Sequence, residues 1–96
     1  VAPAFIIATV RITDPDRFAA YAKATTGLRE AFGGETLVRG PVTEVLEGEG
    51  VLGDRMVVLR FPNADAARAY IGSQAYQAVK HLRRDAAEVV MRLVEP

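Results

Sequence analysis

Phe61-Pro62-Asn63-Ala64-Asp65-Ala66-Ala67-Arg68-Ala69-Tyr70-Ile71-Gly72-Ser73-Gln74-Ala75-Tyr76, running on to Arg83-Arg84, is the stretch that decides the fold of this chain. Phe61 ends a strand, and Asn63 offers a side-chain oxygen to the free amides of a helix reaching Ile71. Gly72 breaks that helix, and Ser73 caps a second piece reaching about Arg84. Ala87 to Val94 follows as a strand, and Arg55 to Phe61 precedes as another. Upstream, Gly48 to Gly53 reads as a glycine-rich hairpin loop after a long strand from Thr36 to Glu47. Gly40-Pro41 interrupts that strand, where a missing amide and a flexible glycine predict a bulge.

The first half of the chain reads as strand then helix. Ala4 to Ile12 is rich in β-branched residues. Asp14 caps a helix whose first position, Pro15, needs no donor, and Asp16 suits its positive end. Phe18, Tyr21, Ala22, Thr25, Leu28 and Phe32 recur at helical spacing until Gly33-Gly34 closes the run. The order βαββαβ predicts an α+β, ferredoxin-like sandwich in one domain, residues 1–96. Its four-stranded antiparallel sheet carries both helices on one face, with the first and third strands central.

Composition excludes several classes of function. Twelve basic and twelve acidic residues cancel, so the chain lacks the basic excess that nucleic acid or an anionic membrane favours. It has no cysteine, which removes disulfides and thiolate chemistry, and no apolar run approaches the roughly 18 residues of a membrane span. The expectation is a soluble, cytoplasmic chain. A single histidine without cysteine argues against a transition-metal site, and neither a metal nor an organic cofactor is expected. Arg55 to Phe61 lacks the aromatic–glycine alternation of an RNA-recognition strand.

Alternation divides the sheet into two faces. Ala4, Ile6, Ala8, Val10 and Ile12, with Val57, Leu59, Phe61, Ala87, Val89, Met91 and Leu93, form a wholly apolar face that must lie under the helices. Phe5, Ile7, Thr9, Arg11, Met56, Val58, Arg60, Glu88, Val90, Arg92 and Val94 form the other, which is mixed but too apolar for solvent. A few hundred Å² of such surface is at the upper limit of what monomers expose, so a homodimer packed sheet to sheet into a joint α+β barrel is expected. With the first and third strands running in the same direction, Thr9, Arg11, Arg60 and Glu88 gather near one end of this face. There they form either an anion-recognising corner or a cross-strand Arg11–Glu88 pair with arginines at the rim.

The remaining candidates are each matched by a plainer reading. His81 is the natural acid–base residue, and it equally complements the negative end of its helix with Lys80, Arg83 and Arg84. That basic cluster could hold a carboxylate or phosphate, or simply be solvated. Tyr21, Tyr70 and Tyr76 could supply hydroxyls to a pocket, or bury their rings with the hydroxyl bonded. Capping explains Ser73 without a nucleophilic role, and Gly48 to Gly53 lacks the ending of a phosphate loop.

Several segments carry a family resemblance when taken together. They are Val10-Arg11-Ile12-Thr13-Asp14-Pro15 leading to Tyr21, Phe32-Gly33-Gly34, Val38-Arg39-Gly40, Val45-Leu46-Glu47-Gly48, Phe61-Pro62, Ala66-Ala67-Arg68-Ala69-Tyr70, Ser73 with Tyr76, and Leu82-Arg83-Arg84. In this order and spacing the chain resembles the DUF1330 family over nearly its whole length. The resemblance implies a ferredoxin-like fold of the dimeric α+β barrel superfamily and transfers no catalytic residue. The chain departs from the usual pattern at Arg60, where an acidic residue is common, and at His81, where proline is frequent. If Arg60 faces a pocket, the ligand charge preference of relatives does not carry over to this chain.

The leading expectation is a dimer that binds a small, partly apolar molecule able to carry negative charge. Thr9, Arg11, Arg60 and, if the bulge turns it inward, Arg39 would supply polarity on the second face. Phe5, Ile7, Met56 and Val58 would form the apolar wall. The alternatives are a cofactor-independent enzyme of monooxygenase or isomerase type, with His81 or a tyrosine as its acid–base group, and an accessory dimer without a ligand.

Overall fold

The computed structural model describes residues 2–96. The chain runs β1 (Ala4–Ile12), α1 (Pro15–Ala24), β2 (Glu35–Pro41), β3 (Arg55–Phe61), α2 (Ala64–Gly72), α3 (Gln74–Lys80) and β4 (Ala87–Val94), with single 3-10 turns at Glu30–Phe32 and His81–Arg83. The sheet order is β2-β3-β1-β4 and every neighbouring pair is antiparallel. This is the α+β ferredoxin-like arrangement.

The direction of the central pair corrects one expectation. β1 and β3 run in opposite directions, with Ala4 opposite Phe61 and Val10 opposite Arg55. The crossover through α1 sends β2 along the direction of β1, and the following hairpin then reverses β3. Arg60 therefore lies opposite Phe5, six residues along β1 from Arg11, or about 20 Å away.

Local chemistry sets the element ends. The Asp14 carboxylate accepts from the Arg17 N–H at 3.2 Å, and Pro15 occupies the first turn of α1. α1 stops at Ala24, earlier than its apolar spacing suggests. The hydroxyls of Thr25 and Thr26 both donate to the Ala22 carbonyl, at 3.0 and 3.2 Å, and Gly27 turns left-handed at φ 84°. Phe32 still reaches the core, from the 3-10 turn. Gly34 has to be glycine, because a Cβ there would lie 2.6 Å from the Phe61 ring.

β2 is shorter than expected, ending at Pro41, with only Val42 continuing the pairing to Gly53 and Asp54. Its irregularity falls between Thr36 and Val38, at Leu37, while Gly40 pairs in register with Met56. As β2 is an edge strand, Pro41 at its end leaves no ladder bond broken inside the sheet.

The apolar face lies under the helices. Ala4, Ile6, Ala8, Val10, Leu59 and Phe61 are buried there. Tyr21, Tyr70 and Tyr76 close over them as a row of rings, with centroids 5.2 Å apart for Tyr70–Tyr76 and 6.4 Å for Tyr21–Tyr76. Ser73 sets that row. Its hydroxyl donates to the Tyr70 carbonyl at 2.7 Å and accepts from the Tyr76 N–H at 3.1 Å. One side chain thus closes α2 and opens α3, turning both tyrosines toward the same core.

The other sheet face is bare. Phe5, Ile7, Met56 and Val58 are half-buried on it, while Val38 and Val90 are 54% and 49% exposed. The molecule is a slab of 35 × 31 × 15 Å with an accessible surface of 6239 Å². A compact 10.4 kDa monomer has about 5,400 Å² by size scaling. The excess of about 800 Å² matches one partner's share of a standard protein interface. Part of it belongs to the β2–β3 loop, where Leu46, Val51 and Leu52 are exposed.

Replacing the Ser73 hydroxyl should loosen the α2–α3 junction. Ser73→Ala is expected to lower unfolding free energy by about 1–2 kcal/mol, and Ser73→Thr, which can both donate and accept, to keep most of it, as read by urea denaturation.

Candidate functional site

The one-sided layering leaves a cavity between the sheet and the helices. It has a volume of about 80 Å³, far more than the 10–15 Å³ a single water requires. Its floor is the apolar face around Ile6, Ala8 and Val57, and its roof includes Phe18, Tyr21 and Tyr70. Arg29, Arg39 and Arg55 complete the lining with Thr36, and neither a carboxylate nor a histidine takes part.

Each arginine is placed by a different piece of the fold. Arg29 follows the early end of α1 and donates to the Thr36 hydroxyl at 3.3 Å, while its Nε is buried with no hydrogen-bond partner among the described residues. Its nearest carboxylate is Glu30, at 3.9 Å. Arg39 sits opposite Val57 and Arg55 opposite Val10, both on the helix side of the sheet. Neither Arg39 nor Arg55 has a carboxylate within 4.0 Å among the described residues.

Two of the tyrosines, Tyr21 and Tyr70, hold their protons more tightly than a free phenol. Tyr21 and Tyr76 share one hydroxyl–hydroxyl bond of 2.8 Å inside the core. Burial, followed by that bond, pushes the Tyr21 hydroxyl well above the usual phenol range. Burial also raises Tyr70, with the nearby Arg29 charge opposing part of the rise. The cavity thus presents apolar walls, guanidinium groups and neutral hydroxyls. That set can hold an anion with an apolar body, but it contains no base to remove a proton.

The residues singled out from sequence are not assembled in this way. Thr9, Arg11 and Arg60 do lie on the open face, with Thr9 and Arg11 neighbours on β1 beside Glu88 and Arg60 at the far end. The Thr9 hydroxyl lies 3.6 Å from Met56 Sδ. Arg11 clasps Asp54 through two bonds of 3.1 and 3.2 Å and lies 3.8 Å from Glu88. Arg60 is 3.5 Å from Glu35 at the far end. Only Arg39 lines the cavity, and it does so from the opposite face. His81 is exposed on the turn after α3, away from the cavity. Sequence reading missed Arg29 and Arg55, although the strand alternation that put Val57 under the helices also carries Arg55 to that side.

Among the described residues, no group of three or more His, Cys, Asp or Glu could hold a metal ion, and no helix is long and apolar enough to cross a membrane.

Comparison with known proteins defines the fold class first. RPA0582 from Rhodopseudomonas palustris, a protein of unknown function, aligns with a TM-score of 0.79 at 18% identity, covering 99% of this chain and 82% of its own. SnoaB from Streptomyces nogalater, a cofactor-independent oxygenase, aligns at 0.67 and 11% identity, over 98% of this chain and 92% of its own. A dimeric ferredoxin-like protein of unknown function from Thermobifida fusca aligns at 0.64 and 20% identity, over 99% and 92%. Identities this low show a shared ferredoxin-like fold and nothing finer. The family follows from the sequence itself: residues 3–96 match the model of the domain of unknown function DUF1330, and the chain belongs to that family. No curated protein matches it.

The buried hydroxyl pair makes two checkable claims. Tyr21→Phe leaves the Tyr76 hydroxyl without its partner and should cost about 1–3 kcal/mol, whereas Tyr21→Phe with Tyr76→Phe should cost less than the two single changes summed. The folded state holds the Tyr21 proton more tightly than the unfolded chain does. Its contribution is therefore intact below the ordinary phenol pKa of about 10 and is lost as pH rises above that value. Urea midpoints should fall between pH 9 and pH 11, and fall less steeply in Tyr21→Phe.

Proposed function

We propose that this protein is a homodimer that binds a small organic anion with an apolar body, such as an aromatic carboxylate, between its sheet and helices. One observation carries the reading. The cavity's charged lining is Arg29, Arg39 and Arg55, with no carboxylate among the lining residues and only Glu30, 3.9 Å from Arg29, nearby, inside an otherwise largely apolar space. An apolar body gains from burial there, and an anionic group gains charge-assisted hydrogen bonds. The ligand chemistry is the one expected from sequence, moved to the opposite face of the sheet.

The second copy would cover the open face. Val38, Val58, Val90, Phe5 and Ile7 present an apolar surface there, and the molecule's excess surface is what a standard interface covers. The exposed Leu46 and Leu52 on the β2–β3 loop would reach over the partner's edge.

A catalytic version of the same site has one observation in its favour: Tyr21, whose proton-holding hydroxyl would have to leave its bond to Tyr76, is among the lining residues. A substrate entering already as an anion would need a donor and not a base. SnoaB, with the same fold, is a cofactor-independent oxygenase.

Benzoate is a suitable first probe. Calorimetry should show saturable binding with a Kd of roughly 1 mM or tighter, weakened about tenfold or more in Arg39→Gln with Arg55→Gln. Undiminished binding in that variant would remove the arginines from the site, and no binding at all would remove the proposal. For the assembly, sedimentation should find dimers, and Val58→Asp should shift them to monomers by placing a charge in the apolar face.

A further inference from the structure

A second concave surface lies outside the cavity, at the far end of α3. Lys80, His81, Arg83 and Arg84 converge on it with Gln77, over a floor formed by the start of β4, and no carboxylate lines it. We infer that this pocket is a separate binding site for a phosphate monoester or another compact dianion. It does not depend on the proposal for the apolar cavity, and the two fail independently.

Three observations distinguish it from a solvated basic patch. The first is its shape. A solvated patch spreads its cations over a convex surface, whereas these surround an open pocket of about 460 Å³. The second is the state of Arg83. Its guanidinium is anchored with Cζ 5.8 Å from the centre of the Tyr21 ring, yet its Nη1 is buried with no hydrogen-bond partner among the described residues. That inner nitrogen is closed to solvent and out of a ligand's reach, so what the ring contact contributes is a guanidinium plane held in place at the pocket wall before an anion arrives. The third is the absence of internal partners. Lys80, Arg83 and Arg84 have no carboxylate within 4.0 Å among the described residues, as is also true of Arg17, Lys23, Arg39, Arg55 and Arg92, but here three such cations line one pocket.

The end of the helix explains part of this charge and no more. The carbonyl end of α3 carries roughly half a negative charge, which favours a cation in the last turn. Lys80, Arg83 and Arg84 bring three full positive charges to that end, in a chain whose formal charge sums to zero. The surplus fits a ligand of charge near −2. A phosphate monoester has that charge near neutral pH, with three terminal oxygens to accept from guanidinium and ammonium groups at once. The Gln77 side-chain amide donates to the Ile71 carbonyl at 2.8 Å, which fixes one wall of the pocket before any ligand arrives.

The test uses the full chain, with inorganic phosphate and phenyl phosphate as probes and chloride at equal ionic strength as control. Titration followed by two-dimensional NMR should show saturable shifts confined to the Gln77–Ala87 segment, with phosphate at a Kd of roughly 1 mM. Lys80→Gln with Arg84→Gln changes exposed side chains only, so the fold should persist, and phosphate affinity should drop about tenfold. Arg83→Lys keeps a charge but loses the planar fork and should weaken phosphate, whereas the exposed Lys80→Gln with Arg84→Gln pair should leave benzoate binding in the cavity unchanged. Shifts that do not saturate, or that chloride reproduces, would mean the pocket is only a solvated cationic surface. Saturable binding unaffected by the double variant would place the anion elsewhere. Either result overturns the inference.

Discussion

The bond between the Tyr21 and Tyr76 hydroxyls is the constraint around which the helical layer is built. A phenol brought into an apolar interior needs a partner for its oxygen, and here each tyrosine supplies the other's. The two rings meet nearly edge to face at 82°, Tyr70 follows Tyr76, and Phe61 stacks on Tyr70, so the row joins α1, α3, α2 and β3 in one contact chain. Such a chain tolerates little displacement, because moving any ring strands a hydroxyl as well as opening a void. The double duty of Ser73 follows from it. A continuous helix through Gly72 would carry Tyr70 and Tyr76, six residues apart, to different sides of its axis. The break lets both point at the same place.

The same layering makes the cavity. Short helices cross a twisted sheet without filling the space beneath their ends, and α1 is cut to ten residues by Thr25 and Thr26. The turn that follows swings Arg29 back toward Thr36 on the edge strand. Had the helix run on to Phe32, that guanidinium would have been carried along a helix axis instead of over the sheet. Backbone chemistry at two threonines therefore decides whether the space under the helices has a charged wall.

Most of the architecture was legible because it rests on short-range rules. The caps at Asp14, Asn63 and Ser73 lie where side-chain chemistry puts them, and strand alternation put Ala4, Ile6, Ala8, Val10, Leu59 and Phe61 under the helices, while Leu93 at the end of β4 stays exposed and Arg39 and Arg55 join that face. The site was not legible, for two reasons that share a cause. A side chain's face in a strand flips with every residue, so moving the irregularity in β2 from Gly40 to Leu37 decides which side Arg39 takes. The direction of β3 likewise decides whether Arg60 stands beside Arg11 or six residues away. Local pattern fixes neither quantity; both are set by pairing between strands distant in sequence.

Pairing also explains why the obvious arginines were the less informative ones. Asp54 is nearly buried, and Arg11 holds it in place at the point where β3 begins. Arg11 is thereby part of the hairpin's structure, since removing it would leave a shielded carboxylate without compensation. Arg60 and Glu35 face each other across β3 and β2 and close the other end of the open face. At these two ends of the open face each arginine has a carboxylate partner, and Arg92, opposite Ile7, is the cation there with none within 4.0 Å among the described residues. On the helix side the balance is withheld at the cavity and again beside Arg83. A neutral chain thus pairs Arg11 and Arg60 at the two ends of the open face and leaves two concave places on the helix side lined by cations and no carboxylate. Recognition of an anion requires that second condition, because a guanidinium already clasped by a carboxylate must give up one partner to gain another.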